Sequence, residues 1–247
     1  MTLALEARNL SISFGGVEAV RSVDLRVARG ERRVVMGPNG AGKTTLFNLL
    51  GGQLRPTVGQ VFVANEDISA LPPWRRARRG LSRTFQISRV FLPLTVWENL
   101  LIAVSGIAGF GPFAFRRAGS DAASARRVGE LLERWGLGDH RATPVQELSY
   151  GAQRLLEIAL AFAPSPQVVM LDEPTAGLPA GERTMVASRL KSLPRDVTLL
   201  LTDHDMDVVF EVSDRILVLD RGRAIADGTP EEIRANREVL DVYLGNI

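Results

Sequence analysis

The segment GPNGAGKTT, Gly37 to Thr45, fits the phosphate-loop pattern G-x-x-x-x-G-K-[ST]. Gly37, Gly40 and Gly42 let the backbone turn its N–H groups inward. The apolar positions Leu46, Leu49 and Leu50 then predict a helix whose positive N-terminus adds to an anion site. Such a site suits a nucleotide polyphosphate. Lys43 would reach the β- and γ-phosphates, and the Thr44 hydroxyl would ligate the accompanying Mg²⁺. ERRVVM, Glu31 to Met36, reads as the strand that precedes the loop.

Downstream, Val168 to Leu171 (VVML) is a continuous apolar run of the kind found in a central parallel strand, and it ends in Asp172-Glu173-Pro174. In open α/β sheets ligands bind at the C-terminal edge, so these carboxylates should face the phosphates. Asp172 would help hold Mg²⁺, and Glu173 would orient and polarise the attacking water. His204 follows another buried strand, Val197 to Thr202, at the same expected edge. His140 has no such context and is assigned no role.

Elsewhere, Leu3 to Ser13 and Val20 to Val27 alternate around Gly15-Gly16, which predicts an antiparallel ribbon. Phe14 sits at its turn, a place that fits either stacking on an adenine base or packing in the core. Val61 to Val63 and Ser82 to Phe85 read as strands, the second leading into Gln86. Pro72 to Arg79 reads as a helical turn whose arginines, Arg75, Arg76, Arg78 and Arg79, are expected to form a solvated face. Helices are expected over Asp121 to Trp135 and Gln153 to Ala163, with Ala125, Val128, Leu131, Leu132 and Trp135 on one face of the first. Between them Ser105 to Gly119 is glycine-rich and reads as a surface insertion more readily than as a partner-contacting loop. Gly181 to Leu193 is another helix, Asp214 to Leu219 and Arg223 to Ile225 a closing strand pair, and Thr229 to Gly245 two terminal helices.

The 247 residues can bury a substantial core as one large domain or two small ones. With no cysteine, neither disulfides nor thiolate metal sites are available. The formal charge is only +2, so bulk charge does not point to nucleic acid. MTLALEARNL does not read as a secretory signal. The uncharged run Leu100 to Phe115 falls short of the ~20 residues of a spanning helix and is broken by glycines and Pro112.

The ordered set of phosphate loop, Gln86, LSYGAQ (Leu148 to Gln153), VVMLDEP and the histidine of LLTDHD resembles the ATPase subunit of an ATP-binding cassette (ABC) transporter, over nearly the whole chain. The resemblance implies an α/β P-loop NTPase fold in a single domain spanning 1–247. A RecA-like parallel core with an N-terminal antiparallel β subdomain would comprise 1–86 and 164–247, and an inserted helical subdomain 87–163. It also implies that Phe14 stacks on adenine and that Pro38, Asn39, Ala41 and Thr45 line the phosphates of ATP with the loop glycines. Gln86 would sense Mg²⁺ and the attacking water and begin the loop that contacts membrane subunits, and His204 would hold the γ-phosphate. LSYGAQ is similar to the family's signature, with Tyr150 in place of its first glycine. There Ser149, Gly151, Gln153 and the opening N–H groups of a helix would grip the nucleotide of an opposite subunit. Where most members have an aspartate after the acids, this chain reads Ala176-Gly177-Leu178-Pro179.

Finer wording, including GLSRTFQISRVFLPLTVWENL, AGLPAGE and DHDMDVVFEVSDRILVLDRGRAIADGTPEEIR, looks like the branched-chain amino acid importer ATPases, closer to the longer of their two ATPase chains. This implies a heterodimer with a second ATPase subunit, two transmembrane permeases and an extracytoplasmic substrate-binding protein. The chain would lie peripherally on the cytoplasmic face of the cell membrane and take no nucleic acid. The sequence ends without a further C-terminal domain, which argues against regulation in cis. Two rivals share the chemistry: an exporter ATPase, and a soluble cassette acting on DNA or ribosomes.

Overall fold

The computed structural model describes residues 2–84, 90–105 and 122–244. Gln86, the end of the strand expected through Phe85, and most of the glycine-rich segment lie outside the described residues.

Strands β1 (Leu3–Phe14) and β2 (Val17–Ala28) pair antiparallel around the Gly15-Gly16 turn, with Phe14 opposite Val17. Both turn glycines have positive φ, as a tight two-residue hairpin demands. β4 (Val58–Val63) adds to the other edge of β1 and β5 (Glu66–Asp67) follows it, giving a four-stranded sheet in the order β2-β1-β4-β5.

The second sheet holds six strands. These are β3 (Arg32–Met36), β6 (Leu81–Arg83), β7 (Val168–Asp172), β8 (Thr198–Thr202), β9 (Arg215–Asp220) and β10 (Arg223–Gly228), ordered β10-β9-β3-β8-β7-β6. All neighbours are parallel except β10, which returns antiparallel to β9. Every residue of β3, β7 and β8 is buried, because this sheet is covered on both faces. Alternation within the strands divides the core. Val35, Met170 and Leu200 pack with the smaller sheet and helix α1 (Lys43–Gly51), whereas Val34, Val169 and Leu201 pack against the helices of the opposite face.

α2 (Pro73–Arg78) precedes β6, and between β6 and β7 the described chain is helical: α3 (Val96–Ser105), α4 (Ala122–Trp135) and α5 (Tyr150–Phe162). Val128, Leu131, Leu132 and Trp135 are buried as the periodicity predicts, and the Trp135 and Phe162 rings meet at 5.2 Å. α5 begins three residues before the expected Gln153, because Ser149 caps it with its side chain. α6 (Ala180–Ser192), α7 (Met206–Val212), α8 (Pro230–Ala235) and α9 (Arg237–Leu244) complete the chain.

Arg75, Arg78 and Arg79 are exposed as expected of a solvated face, but Arg76 departs from it. Arg76 is only 1% exposed, and its guanidinium donates to the carbonyls of Leu49, Leu50, Leu71 and Ser69 at 2.6 to 2.9 Å. The last carbonyls of α1 need donors, and Arg76 supplies them. Arg75 and Arg78 lie over the exposed Trp74 ring.

Candidate nucleotide site

β3 leads directly into the phosphate loop. A Cβ on Gly37 would sit 2.2 Å from the Leu219 carbonyl oxygen, and one on Gly42, where φ is +101°, 2.6 Å from that of Ala19. The backbone packing therefore admits only glycine at both places. Gly42 caps α1 without any side-chain acceptor, which leaves the first helical N–H groups directed at the loop. Lys43 folds back, donating from Nζ to the carbonyls of Gly37 at 2.6 Å and Pro38 at 3.0 Å. Burial lowers its pKa, opposed by the nearby Glu173 and Asp172 carboxylates.

The loop opens on a cleft of about 510 Å³ lined by Asn39 to Thr45, Glu173, Ala19, Arg221 and Gly222. On the ribbon side it is walled by Val17, Glu18, Ala19 and Arg21; Phe14, the strand partner of Val17, is half exposed beside the turn and does not line the cleft.

The acids come to this edge because β7 lies one strand from β3, with β8 between. Asp172 is buried. Its Oδ2 accepts from Arg83 Nη2 at 3.0 Å, and its Oδ1 from the Thr202 hydroxyl at 2.8 Å. Glu173 has a left-handed backbone, φ +46°, fixed by donation of its N–H to both the carbonyl and the hydroxyl of Thr202 at 3.1 Å. A non-glycine residue held there stores strain of about 1–3 kcal/mol, and the result here is a carboxylate turned into the cleft with Lys43. Arg154 of α5 secures the same turn from outside. It donates to the carbonyls of Pro174 at 2.9 Å and Asp172 at 3.3 Å, and also to that of Glu173. His204 follows β8 with its imidazole 66% exposed, and it does not line this cleft.

Ser149 and Gly151 do not line this cleft. Ser149 Oγ accepts from the Ala152 N–H at 3.2 Å and so opens α5 as a second helix N-terminus. Gln153 does something else: its amide donates to the carbonyls of Val145 and Leu148, bracing the preceding turn. Tyr150, the unusual residue of the motif, is exposed and lies against the equally unusual Ala176-Gly177 turn, its hydroxyl 3.4 Å from the Ala176 carbonyl oxygen. Gly177 has φ +77° and a Cβ there would meet the phenol oxygen at 3.0 Å.

Residues 20–176 match the family model described as ABC transporter, and residues 225–246 match that of the branched-chain amino acid ATP-binding cassette transporter. The chain belongs to the ABC transporter ATPase family. It is 42% identical to the high-affinity branched-chain amino acid transport ATP-binding protein LivG of Salmonella typhimurium, over 98% of this chain and 97% of that protein. It is 35% identical to the lipopolysaccharide export system ATP-binding protein LptB of Haemophilus influenzae, over 98% and 97%. The crystal structure of the ADP conformation of MJ1267, an ATP-binding cassette of an ABC transporter, superposes with a TM-score of 0.85 at 29% identity, covering 99% of each chain.

Reading the cassette from sequence missed its supports. Arg83, Arg154, Thr202, Asp203 and Tyr243 all hold parts of the site. Thr202 and Asp203 carry a legible signal, two polar residues ending the apolar run LLL. Tyr243, whose phenol burial pushes to a pKa of about 12, reaches the Gly37 backbone from α9. Among the described residues no helix is long and apolar enough to cross a membrane.

Proposed function

We propose that this cassette ATPase powers an importer of branched-chain amino acids or related small polar solutes, hydrolysing ATP at the interface of two ATPase subunits. The observation that carries the reading is the meeting of Lys43 and Glu173 in one cleft, beyond the ends of two parallel strands with a third between them, in a chain whose residues 225–246 match the branched-chain model.

Within that site Lys43 would exchange the Gly37 and Pro38 carbonyls for phosphate oxygens, joined by the loop N–H groups and Thr45. Glu173 would accept a hydrogen bond from the attacking water, and His204 would donate to the γ-phosphate. The water oxygen bonds to the γ-phosphorus as the bond to the bridging oxygen breaks, and the water proton leaves with the products. Ser149 and Gly151 would close on the nucleotide of the partner subunit, leaving Gln153 as their brace, and Phe14 would cover the adenine.

The donor set fits Mg²⁺. Among the described residues no group of three or more His, Asp or Glu gathers as a metal cage, which suits a hard cation that takes most of its oxygens from phosphate and water. Thr44, Asp172 and Gln86 would hold it, and it would neutralise charge on the transferred phosphoryl group.

Residues 87–163 would form the helical subdomain. The implied assembly is a heterodimer with a second ATPase, two permeases and an extracytoplasmic binding protein, at the cytoplasmic face of the cell membrane and without nucleic acid. Likeness to LptB favours an exporter as the second reading.

Purification of the tagged chain from its native membranes in mild detergent, with mass spectrometry of what stays bound, separates these. Two permeases with a second ATPase support import. Exporter subunits would replace that reading, and a complex with DNA or ribosomes would overturn transport altogether. In the purified complex Glu173→Gln should keep nucleotide binding and nearly abolish turnover.

A further inference from the structure

β8 runs straight from Thr202 into Asp203, whose side chain is completely buried. Among the described residues no arginine or lysine lies within ion-pair distance of it; the titratable side chain nearest it is that of His204, whose Nδ1 is 3.9 Å away. A carboxylate so placed must be stabilised by hydrogen-bond donors. Oδ1 accepts from the backbone N–H groups of His204 at 2.8 Å and Asp205 at 3.0 Å, and Oδ2 accepts from the Thr175 hydroxyl at 2.6 Å.

These donors belong to two separate pieces of the site. Thr175 stands two residues after Glu173, in a turn closed by donation of the Ala176 N–H to the Glu173 carbonyl at 3.1 Å. His204 and Asp205 form the loop after β8, and Asp205 continues the brace by capping α7 with its side chain. His204 has an exposed imidazole, so its anchored part is the backbone N–H that Asp203 holds. The preceding residue, Thr202, grips Asp172 and the Glu173 N–H. One dipeptide thus ties together the two acids, the turn after them and the histidine loop.

We infer that Asp203 is a positioning residue for ATP turnover, its buried carboxylate locking the loop that presents His204 to the turn that follows Glu173. The inference rests on the proposed role of His204 at the γ-phosphate. A carboxylate is suited to the task because its two oxygens take donors from both pieces at once, whereas a side chain with one acceptor could hold only one. Misplacing a catalytic group by about 1 Å costs up to about a hundredfold in rate. ATP affinity, supplied by the phosphate loop, should be indifferent to it.

The test is steady-state ATPase kinetics in the complex purified through a tag on this chain. Asp203→Ala should lower kcat at least tenfold with KM for ATP within about twofold, and should cost little more when His204 is already alanine. Thr175→Val, a milder change, should lower kcat in part, with Thr175→Ser restoring it; this pair decides the matter if Asp203→Ala fails to fold. Additive losses from Asp203→Ala and His204→Ala would overturn the inference, as would a raised KM at unchanged kcat, or equal kcat for the valine and serine variants. If His204→Ala itself leaves kcat intact, the failure lies in the proposed role of the histidine instead.

Discussion

Arg83 Nη2 lies 3.0 Å from Asp172 Oδ2, and the two side chains are only 8% and 2% exposed. The other arm of the guanidinium, Nη1, donates to Asn48 Oδ1 at 2.9 Å and Gln53 Oε1 at 3.0 Å. One cation therefore joins the last turn of the phosphate-loop helix, and Gln53 two residues beyond its end, to the acid at the end of β7.

A buried pair of this kind is costly to break from one side, because the remaining charge stays desolvated. Asp172→Asn and Arg83→Met should each lower stability by about 3–5 kcal/mol, measured by urea unfolding without nucleotide. The double variant should lose much less than the sum, since contacting residues couple. Strictly additive losses would mean that the pair holds nothing together.

What was legible in the sequence was what repeats locally. The runs VVM, VVML and LLL announce strands covered on both faces, the glycine spacing announces the phosphate loop, and carboxylates at a strand end announce the far side of the cleft. Arg83 and Arg154 carry no such local mark. Their bonds to Asp172 and to the turn after it span 18 to 89 residues of chain, and nothing in the neighbouring residues distinguishes them from solvated charges. Gln153 makes a contact that the motif does not announce. It sits within the motif, yet its amide turns back to the 3₁₀ turn at Val145 to Glu147, which only the three-dimensional course of the chain reveals.

Arg76 makes the point energetically. In RRARR, residues 75–79, it reads no differently from its neighbours, yet it alone is buried, donating to four carbonyls. Burial pulls its pKa down to about 10, which still leaves it cationic at neutral pH. Arg76→Met keeps much of the volume but leaves the carbonyls of Leu49 and Leu50 without this donor at the end of the helix that begins at Lys43. Each lost charged hydrogen bond is worth about 1.5–3 kcal/mol, so the urea midpoint should fall clearly. Arg75→Met and Arg78→Met, at exposed positions, should change the stability by no more than about 0.5 kcal/mol. Equal effects at the three positions would contradict the buried cap.

The last expectation concerns acid. Thr95 and Glu98 open α3 with a reciprocal cap. Glu98 Oε2 accepts from the Thr95 N–H and hydroxyl, each at 2.8 Å, and the Glu98 N–H donates back to Thr95 Oγ1 at 3.2 Å. The bonds from the Thr95 backbone and then its hydroxyl hold the Glu98 carboxyl below its ordinary pKa of 4.5. A carboxyl whose pKa is depressed on folding adds stability that is complete above the unfolded value and is lost as pH falls through the lower, folded one. Glu98→Gln keeps an acceptor at this place but cannot titrate. The difference in Tm between the parent and Glu98→Gln should therefore be constant above about pH 5.5 and shrink as pH falls below 4.5, while other carboxylates lower both proteins alike. Thr95→Ala should cost about 1 kcal/mol at neutral pH. A Tm difference that does not change with pH would show that the Glu98 charge contributes nothing to the cap.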